Sequence, residues 1–410
     1  MTPLALGIDL GTSGVRIALI NGEGLLLHTA ATAYTHNLCH PQDWAQATRV
    51  LIESIAADLR LRIQSVAVDG TSGTLLACTQ QGDPLGQALA YSEACPEHME
   101  QLQDLATDGG PAASSSGSLA RALRLIQQHG DTVLLRHQAD WVTGWLLQDW
   151  RWGEEGNNLR LGWHLQDQRW PQGMLGTSWH HALPQVRASG NILGTINPEV
   201  AASLGLSNRV SIVAGTTDSN AAVLAADPGD DDGITVLGTT LVMKRFTDQP
   251  LEGVGITSHR VGGRWLCGGA SNSGGGVLQQ QFPGIDLAEL SRQIDPECSS
   301  GLNYRPLPTI GERFPQDDPF CEPVLTPRPV SDVRHLHGLL EGMARIESEG
   351  WAKLTALGAL PPQRVISIGG GARNPQWRRI RERVLGCPVV SSQAPPAQGV
   401  ARLARLAFTS

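Results

Sequence analysis

The chain has 410 residues, 41% hydrophobic and 17% charged, with a formal net charge of −8. That length predicts about two to three domains with ample core, and the balance is that of a soluble globular protein with no basic block to offer nucleic acid or an anionic membrane. No apolar run approaches a membrane span, and the opening MTPLALGID meets Asp9 without a positive leader, so a cytoplasmic protein is expected. The seven cysteines are scattered, odd in number and without a CxxC pair, which predicts reduced thiols and no zinc site. The histidines show no HExxH spacing, and the adjacent His180 and His181 point apart.

Leu4, Leu6 and Ile8 alternate as in a strand with one buried face, and the strand ends on Asp9. Gly11-Thr12-Ser13-Gly14 then leads into a second apolar run, VRIALI. Asn21-Gly22-Glu23-Gly24 separates that run from a third, LLLHTA, which is a hairpin signal. The first glycine turn therefore joins strand to strand. Neither the dinucleotide fingerprint nor the P-loop spacing is present. What remains is a turn whose amides and hydroxyls can surround an anion, beside a carboxylate placed to hold a cation. An ordinary Gly-rich hairpin with a capping Asp reads equally well from this stretch alone.

Residues 41–59 place Trp44, Ala47, Leu51, Ile55 and Leu59 on one helical face, with Pro41 in the first turn. A strand at Val66–Val68 ends in Asp69-Gly70-Thr71-Ser72-Gly73-Thr74, and TLLACT resumes as a strand. Loops gathered at strand tips mark the ligand edge of an α/β sheet. Residues 107–118 read as a small-residue loop before a helix at 119–129, and another helix runs from Asp140 to Trp150. The tryptophans at 150, 152, 163, 170 and 179 read as anchors of irregular structure, with a sugar pocket as the sharper alternative.

Val210–Ala214 is a strand ending in Gly215-Thr216-Thr217-Asp218, ahead of a small-residue helix. Residues 227–233, DPGDDDG, mark the clearest boundary. Residues 234–244 then restate the opening: apolar strand, Gly-Thr-Thr turn, apolar strand. This predicts a duplicated architecture whose sheets each offer a glycine turn to one cleft. GGASNSGGG at 268–276 precedes a helix and reads as an anion site at its N-terminus. Residues 303–330 are Pro-rich loop, and a helix covers 333–357. Val365–Ile368 is a strand ending in three glycines, which permit close backbone approach to a flat ligand, before Asn374-Pro375 opens a helix.

In order, GIDLGTSGVR, DWVTGWL, EEGNNLRLGW with RWP, AGTTDSNAA, VLGTT and IGGGARNPQW resemble the landmarks of the FGGY family of carbohydrate kinases, within the actin-like and hexokinase-like ATPases. The resemblance runs from residue 4 to about 377 and implies an α/β fold. Two actin-like (ribonuclease H-like) domains with mixed sheets flanked by helices would enclose an interdomain cleft. Residues 1–226 would form the sugar and phosphate side and 227–410 the nucleotide side, the last helix (about 397–408) being assignable to either.

The cofactors implied are ATP and Mg²⁺. By resemblance Asp218 is the general base and Asp9 sits by the metal, both also facing the sugar. Gly11, Thr12 and Ser13 meet the terminal phosphate, Gly238 and Thr239 the others, and Gly370, Gly371 and Asn374 pack on adenosine. Phosphoryl transfer calls for such parts: charge neutralisation on the transferring oxygens and a carboxylate to orient the nucleophile. Asp218 also suits a helix N-cap, and both roles can coexist. Asp69 is read as stabilising a turn, and Ser72 as touching sugar or only shaping its turn.

Xylulokinases usually carry Gln-Met-His where this chain has DGTSGT, and an Arg-bearing loop where it has AYSEACP. The chain is more similar to the compact D-ribulose kinases of cyanobacteria and plant plastids. D-ribulose is therefore the expected substrate, with D-xylulose or another ketose or polyol as the alternative. An actin-like ATPase would need an interaction module that is not evident. Retention of both Asp9 and Asp218 argues against a non-catalytic sugar binder. The expected partners are sugar and ATP, with the chain a monomer or homodimer.

Overall fold

The computed structural model describes residues 3–106 and 110–409. The opening run forms β1 (Leu4–Leu10), β2 (Gly14–Asn21) and β3 (Leu26–Ala33), followed by β4 (Ile63–Gly70). Two short pairs come next: β5 (Leu75–Cys78) with β6 (Leu134–His137), and β7 (Trp152–Glu154) with β8 (Gln185–Arg187). With β9 (Ile192–Thr195) and β10 (Ser211–Thr217) the first six-stranded sheet is complete, in the order β3-β2-β1-β4-β10-β9. β1 pairs antiparallel with β2 and parallel with β4, and β4 pairs parallel with β10.

A second six-stranded sheet uses β11 (Asp232–Leu237), β12 (Leu241–Thr247), β13 (Ile256–Val261), β14 (Arg264–Ser271), β15 (Arg364–Ile368) and β16 (Val389–Ser391), in the order β13-β14-β12-β11-β15-β16. Its antiparallel β14-β12-β11 and parallel β11-β15-β16 repeat the plan of β3-β2-β1 and β1-β4-β10. The duplication expected from VLGTT is thus a duplication of topology. Residues up to Ala225, with Arg260–Gly263 and everything from Ala394 on, form one compact unit. Ala226–His259 and Arg264–Gln393 form the other. The final helix, Pro396–Thr409, therefore belongs to the first unit, although it follows the last strand of the second.

That helix corrects the reading of β1. Alternation predicted one buried face, yet every residue from Leu4 to Leu10 is buried. Leu4, Leu6, Ile8 and Leu10 enter a core with Trp44, Leu51 and Val66. The opposite face carries Ala5 and Gly7, and a methyl group on Gly7 would overlap the Ala397 carbonyl and crowd the Ala401 amide. Gly399 packs equally closely on the backbone of Ala221. Small residues on both sides let helix and strand touch backbone to backbone. Gly7→Ala should therefore destabilise the fold by about 1–3 kcal/mol, the usual range for overpacking, and urea unfolding will measure it.

Other elements also depart from their local patterns. The helix expected over 41–59 ends at Ser54, because Ile55 turns extended while staying buried, and a separate short helix covers Ala57–Arg60. The strand after Asp69 leaves the main sheet and pairs with β6. The loop expected over 107–118 begins with residues 107–109, outside the described residues, and continues as a tight turn before the helix Ser118–His129. The helix expected from Asp140 runs over Gln138–Leu147. Trp150, Trp170 and Trp179 are buried, the indole N–H groups of the first two donating to the carbonyls of Trp141 and Pro184, as anchors of irregular chain do.

The long helix Asp332–Ala356 is capped by Ser331 and packs under the second sheet. Its fully buried Glu347 meets Arg381 at 2.6 and 2.7 Å and also accepts from Thr235 on β11.

Candidate active site

β1, β4 and β10 lie side by side and parallel, so their C-terminal ends bring three loops to one edge of the first sheet. Asp9 and Asp69 are register partners on β1 and β4, and Thr216 pairs with Asp69 from the other side. In-register residues on parallel strands share a face, so two carboxyl groups meet where water hardly enters: Asp9 is 2% exposed and Asp69 fully buried. Asp69 therefore does not stabilise a turn, as its sequence context suggested. It sits within the strand, and neither of its oxygens has a hydrogen-bond partner at bonding geometry among the described residues.

Burial pushes the Asp69 carboxyl well above the usual range, and the charges of Asp9 and Asp218 push the same way. Burial raises Asp9 too, but Asp69 and the guanidinium of Arg16, 3.2 Å from Asp9 Oδ2, oppose it. Of the two carboxyls, Asp69 is therefore the one held more strongly toward its protonated form. Asp218 is half-buried and opens the helix Asp218–Ala225, its Oδ1 accepting from the Ser219 amide at 2.7 Å.

The turn after β1 closes with the Gly11 amide donating to the Gly14 carbonyl at 2.9 Å. From behind, the Tyr34 hydroxyl donates to the Gly11 carbonyl (2.9 Å) and the Tyr34 amide to the Ser13 carbonyl (3.1 Å). With those carbonyls tied back, Thr12 and Ser13 stand exposed at the tip of the turn. A methyl on Gly11 would sit 2.5 Å from the Arg16 guanidinium, so a side chain there disturbs the partner of Asp9.

The loop after β4 holds Ser72 half-buried. Gly73 has φ +102°, and a methyl on it would meet Arg121 at 2.8 Å. Arg121 is fully buried and faces carbonyls: Gly73 (2.9 Å), Tyr91 (3.2 Å), Glu93 (2.6 Å) and Ser116 (3.1 Å). It thereby fastens this loop to the AYSEACP segment, a role that local pattern did not reveal. Its only sequence signal is an Arg on an otherwise apolar helical face.

In the second unit a cavity of about 690 Å³ is lined by Gly238, Thr239, Gly370, Gly371 and Asn374, with Leu237, Leu278 and Leu287 among its apolar walls. Its size and apolar lining suit a nucleoside-sized ligand. A methyl on Gly370 would meet nothing within 4 Å, leaving its backbone open to a ligand. One on Gly371 would strike the Trp377 ring. The Asn374 side chain is committed elsewhere, capping the next helix through the Trp377 amide (3.0 Å) and bonding Ser291 (2.8 Å). The anion site expected at the helix after GGASNSGGG is not formed as such. The Gly275 and Gly276 amides of the helix Gly275–Gln281 donate to the carbonyls of Gly238 and Thr239. They brace the glycine turn instead.

Residues 233–408 match the C-terminal domain of the FGGY family of carbohydrate kinases. Xylulose kinase of Escherichia coli (strain K12) is 25% identical over 98% of this chain and 90% of its own length. The chain is thus similar to FGGY carbohydrate kinases, by the family model over residues 233–408 and by the relative over nearly its whole length. The fold agrees: a xylulose kinase from Rhodospirillum rubrum superposes with a TM-score of 0.80 at 21% identity, covering 98% of this chain and 90% of that one. Plasmodium falciparum glycerol kinase with ADP gives 0.79 at 16% identity, covering 99% and 89%.

In this chain the first unit assembles Asp9, the turn Gly11–Ser13, Ser72 and Asp218 at one sheet edge, while the second gathers Gly238, Thr239, Gly370, Gly371 and Asn374 around one cavity. The members that local pattern missed are Asp69, Arg16, Tyr34 and Arg121. Each acts on a site residue from another strand, turn or helix.

Proposed function

We propose that this chain is an FGGY carbohydrate kinase that transfers the γ-phosphoryl group of ATP to the O5 hydroxyl of a pentulose, with D-ribulose preferred over D-xylulose. The observation that carries the reading is the convergence of Asp9 and the Thr12–Ser13 turn at the end of β1 with Asp218 at the end of β10, the two parallel strands that flank β4. Asp218 accepts the proton as the sugar oxygen attacks phosphorus. The Thr12 and Ser13 amides and hydroxyls receive the oxygens of the transferring group. The cavity of the second unit takes the adenosine, with the Gly238–Thr239 turn toward its phosphates.

Among the described residues no cluster of three His, Cys, Asp or Glu side chains could hold a metal. That donor set fits Mg²⁺ carried mainly by phosphate oxygens and water, for which one carboxylate suffices, and Asp9 is the candidate. Bound with ATP, the ion would neutralise charge on the phosphates.

The sugar preference rests on the short, hydroxyl-bearing loop at Ser72. D-ribulose and D-xylulose differ only at C3, and a site built to bond one hydroxyl rejects a misplaced one because its own polar groups are left unpaired. The E. coli relative is a xylulose kinase, which favours D-xylulose as the second reading. ADP release across pentuloses, hexuloses and polyols tests the class, and kcat/KM for the two pentuloses tests the preference. Wild type should favour D-ribulose, and Ser72→Ala should lose most of that margin. A wild-type preference for D-xylulose overturns the specificity and leaves the kinase standing.

A further inference from the structure

We infer that Gln138 is a positioning residue that locks the turn Gly11–Gly14 to the loop Thr71–Thr74, so that the phosphate-side and sugar-side groups keep one mutual geometry. The inference rests on the kinase reading above for the roles of the two loops. Its structural basis is independent of them.

Gln138 is fully buried at the start of the helix Gln138–Leu147. Its Nε2 donates to the Tyr34 hydroxyl at 3.1 Å. Its Oε1 accepts from the Thr71 amide at 3.1 Å and from Thr71 Oγ1 at 2.7 Å. Tyr34 continues to the carbonyls of Gly11 and Ser13. On the other side Thr71 Oγ1 lies 2.7 Å from Thr74 Oγ1, which accepts from the Tyr91 amide at 3.2 Å.

The protons can be placed in only one direction along this chain. Tyr91 N–H donates to Thr74, Thr74 to Thr71, Thr71 to the Gln138 carbonyl oxygen, the Gln138 amide to Tyr34, and Tyr34 to the Gly11 carbonyl. Every polar atom in it has a partner, and the chain is largely buried, so breaking one link leaves neighbours unsatisfied. A side chain that merely filled the core would not need to join two loops belonging to different strand ends. Gln138 does so with both ends of one amide.

The test measures kcat, the KM for ATP and for the ketose, and thermal stability. It uses Tyr34→Phe, Thr71→Val, their double variant, and Gln138→Leu. Losing one hydrogen bond of this kind is worth about three- to tenfold. Tyr34→Phe should raise chiefly the KM for ATP and Thr71→Val chiefly that for sugar. Gln138→Leu should raise both. Because one link carries both effects, the double variant should lose less in kcat/KM than the product of the single losses.

The cycle of Tyr34 and Thr71 stands even where Gln138→Leu does not fold. Multiplicative losses, or a lowered melting temperature with unchanged KM values, overturn the inference and show a purely structural network. A wild type that turns over no ketose with ATP fails differently, since it sinks the kinase reading itself.

Discussion

Asp218→Asn is expected to fold normally and to turn over about 10²–10⁴-fold more slowly, the range for losing a general base. Asn can still accept from the Ser219 amide at the start of the helix, as Asp218 does at 2.7 Å, so the local structure should persist. What the substitution removes is a group able to take the sugar's proton at neutral pH. The KM for sugar should rise less than kcat falls, because Asn keeps a hydrogen-bonding oxygen. Steady-state rates with circular dichroism on the same samples check this. A folded variant within a few-fold of wild type would leave Asp218 as a helix cap only.

Asp9→Ala should lose at least about 10²–10³-fold in turnover, comparable to removing a preorganised electrostatic group. The substitution deletes one carboxyl of a buried pair and leaves Arg16 without the side chain it meets at 3.2 Å. Excess Mg²⁺ should restore part of the rate at best, and full activity at ordinary Mg²⁺ would exclude the metal-side role.

The same variant should change the pH dependence of stability. The Asp69 carboxyl is raised above its ordinary value of 3.8 by burial first and by neighbouring charge second. The fold therefore holds a proton that the unfolded chain has released. The stability tied to that proton is complete below 3.8 and is lost as pH rises through the raised value. Removing Asp9 removes part of the charge but none of the burial, so the decline should shrink without vanishing. Urea melts in EDTA from about pH 4 to about pH 8 will show it, and an unchanged slope would mean that Asp9 does not act on Asp69.

Local pattern was enough for the parts of this protein that local chemistry controls. Alternating apolar residues marked β1 and β11, Asn21-Gly22 marked the hairpin, and small residues at strand ends marked the turns at 11–14, 71–74 and 238–240. Asp9 and Asp218 stood out through the motifs that carry the family resemblance, GIDLGTSGVR and AGTTDSNAA. The repeat of strand, Gly-Thr-Thr turn and strand foretold two sheets of one plan.

What lay beyond reach were relations between residues far apart in the chain. Periodicity reports which face of a strand is apolar, but not that a helix some 390 residues later will cover the other face, so nothing in the local pattern marked Gly7 as a packing glycine. Asp69 looked like a turn residue because its danger, a second buried carboxyl in register on the next strand, exists only once β1 and β4 pair. Tyr34, Gln138 and Thr71 carry no shared spacing, since hydrogen bonds between side chains obey distance in space and not separation along the chain. Register, coverage and buried polar pairing arise only when the chain closes on itself, and they decide here which of the legible residues can act together.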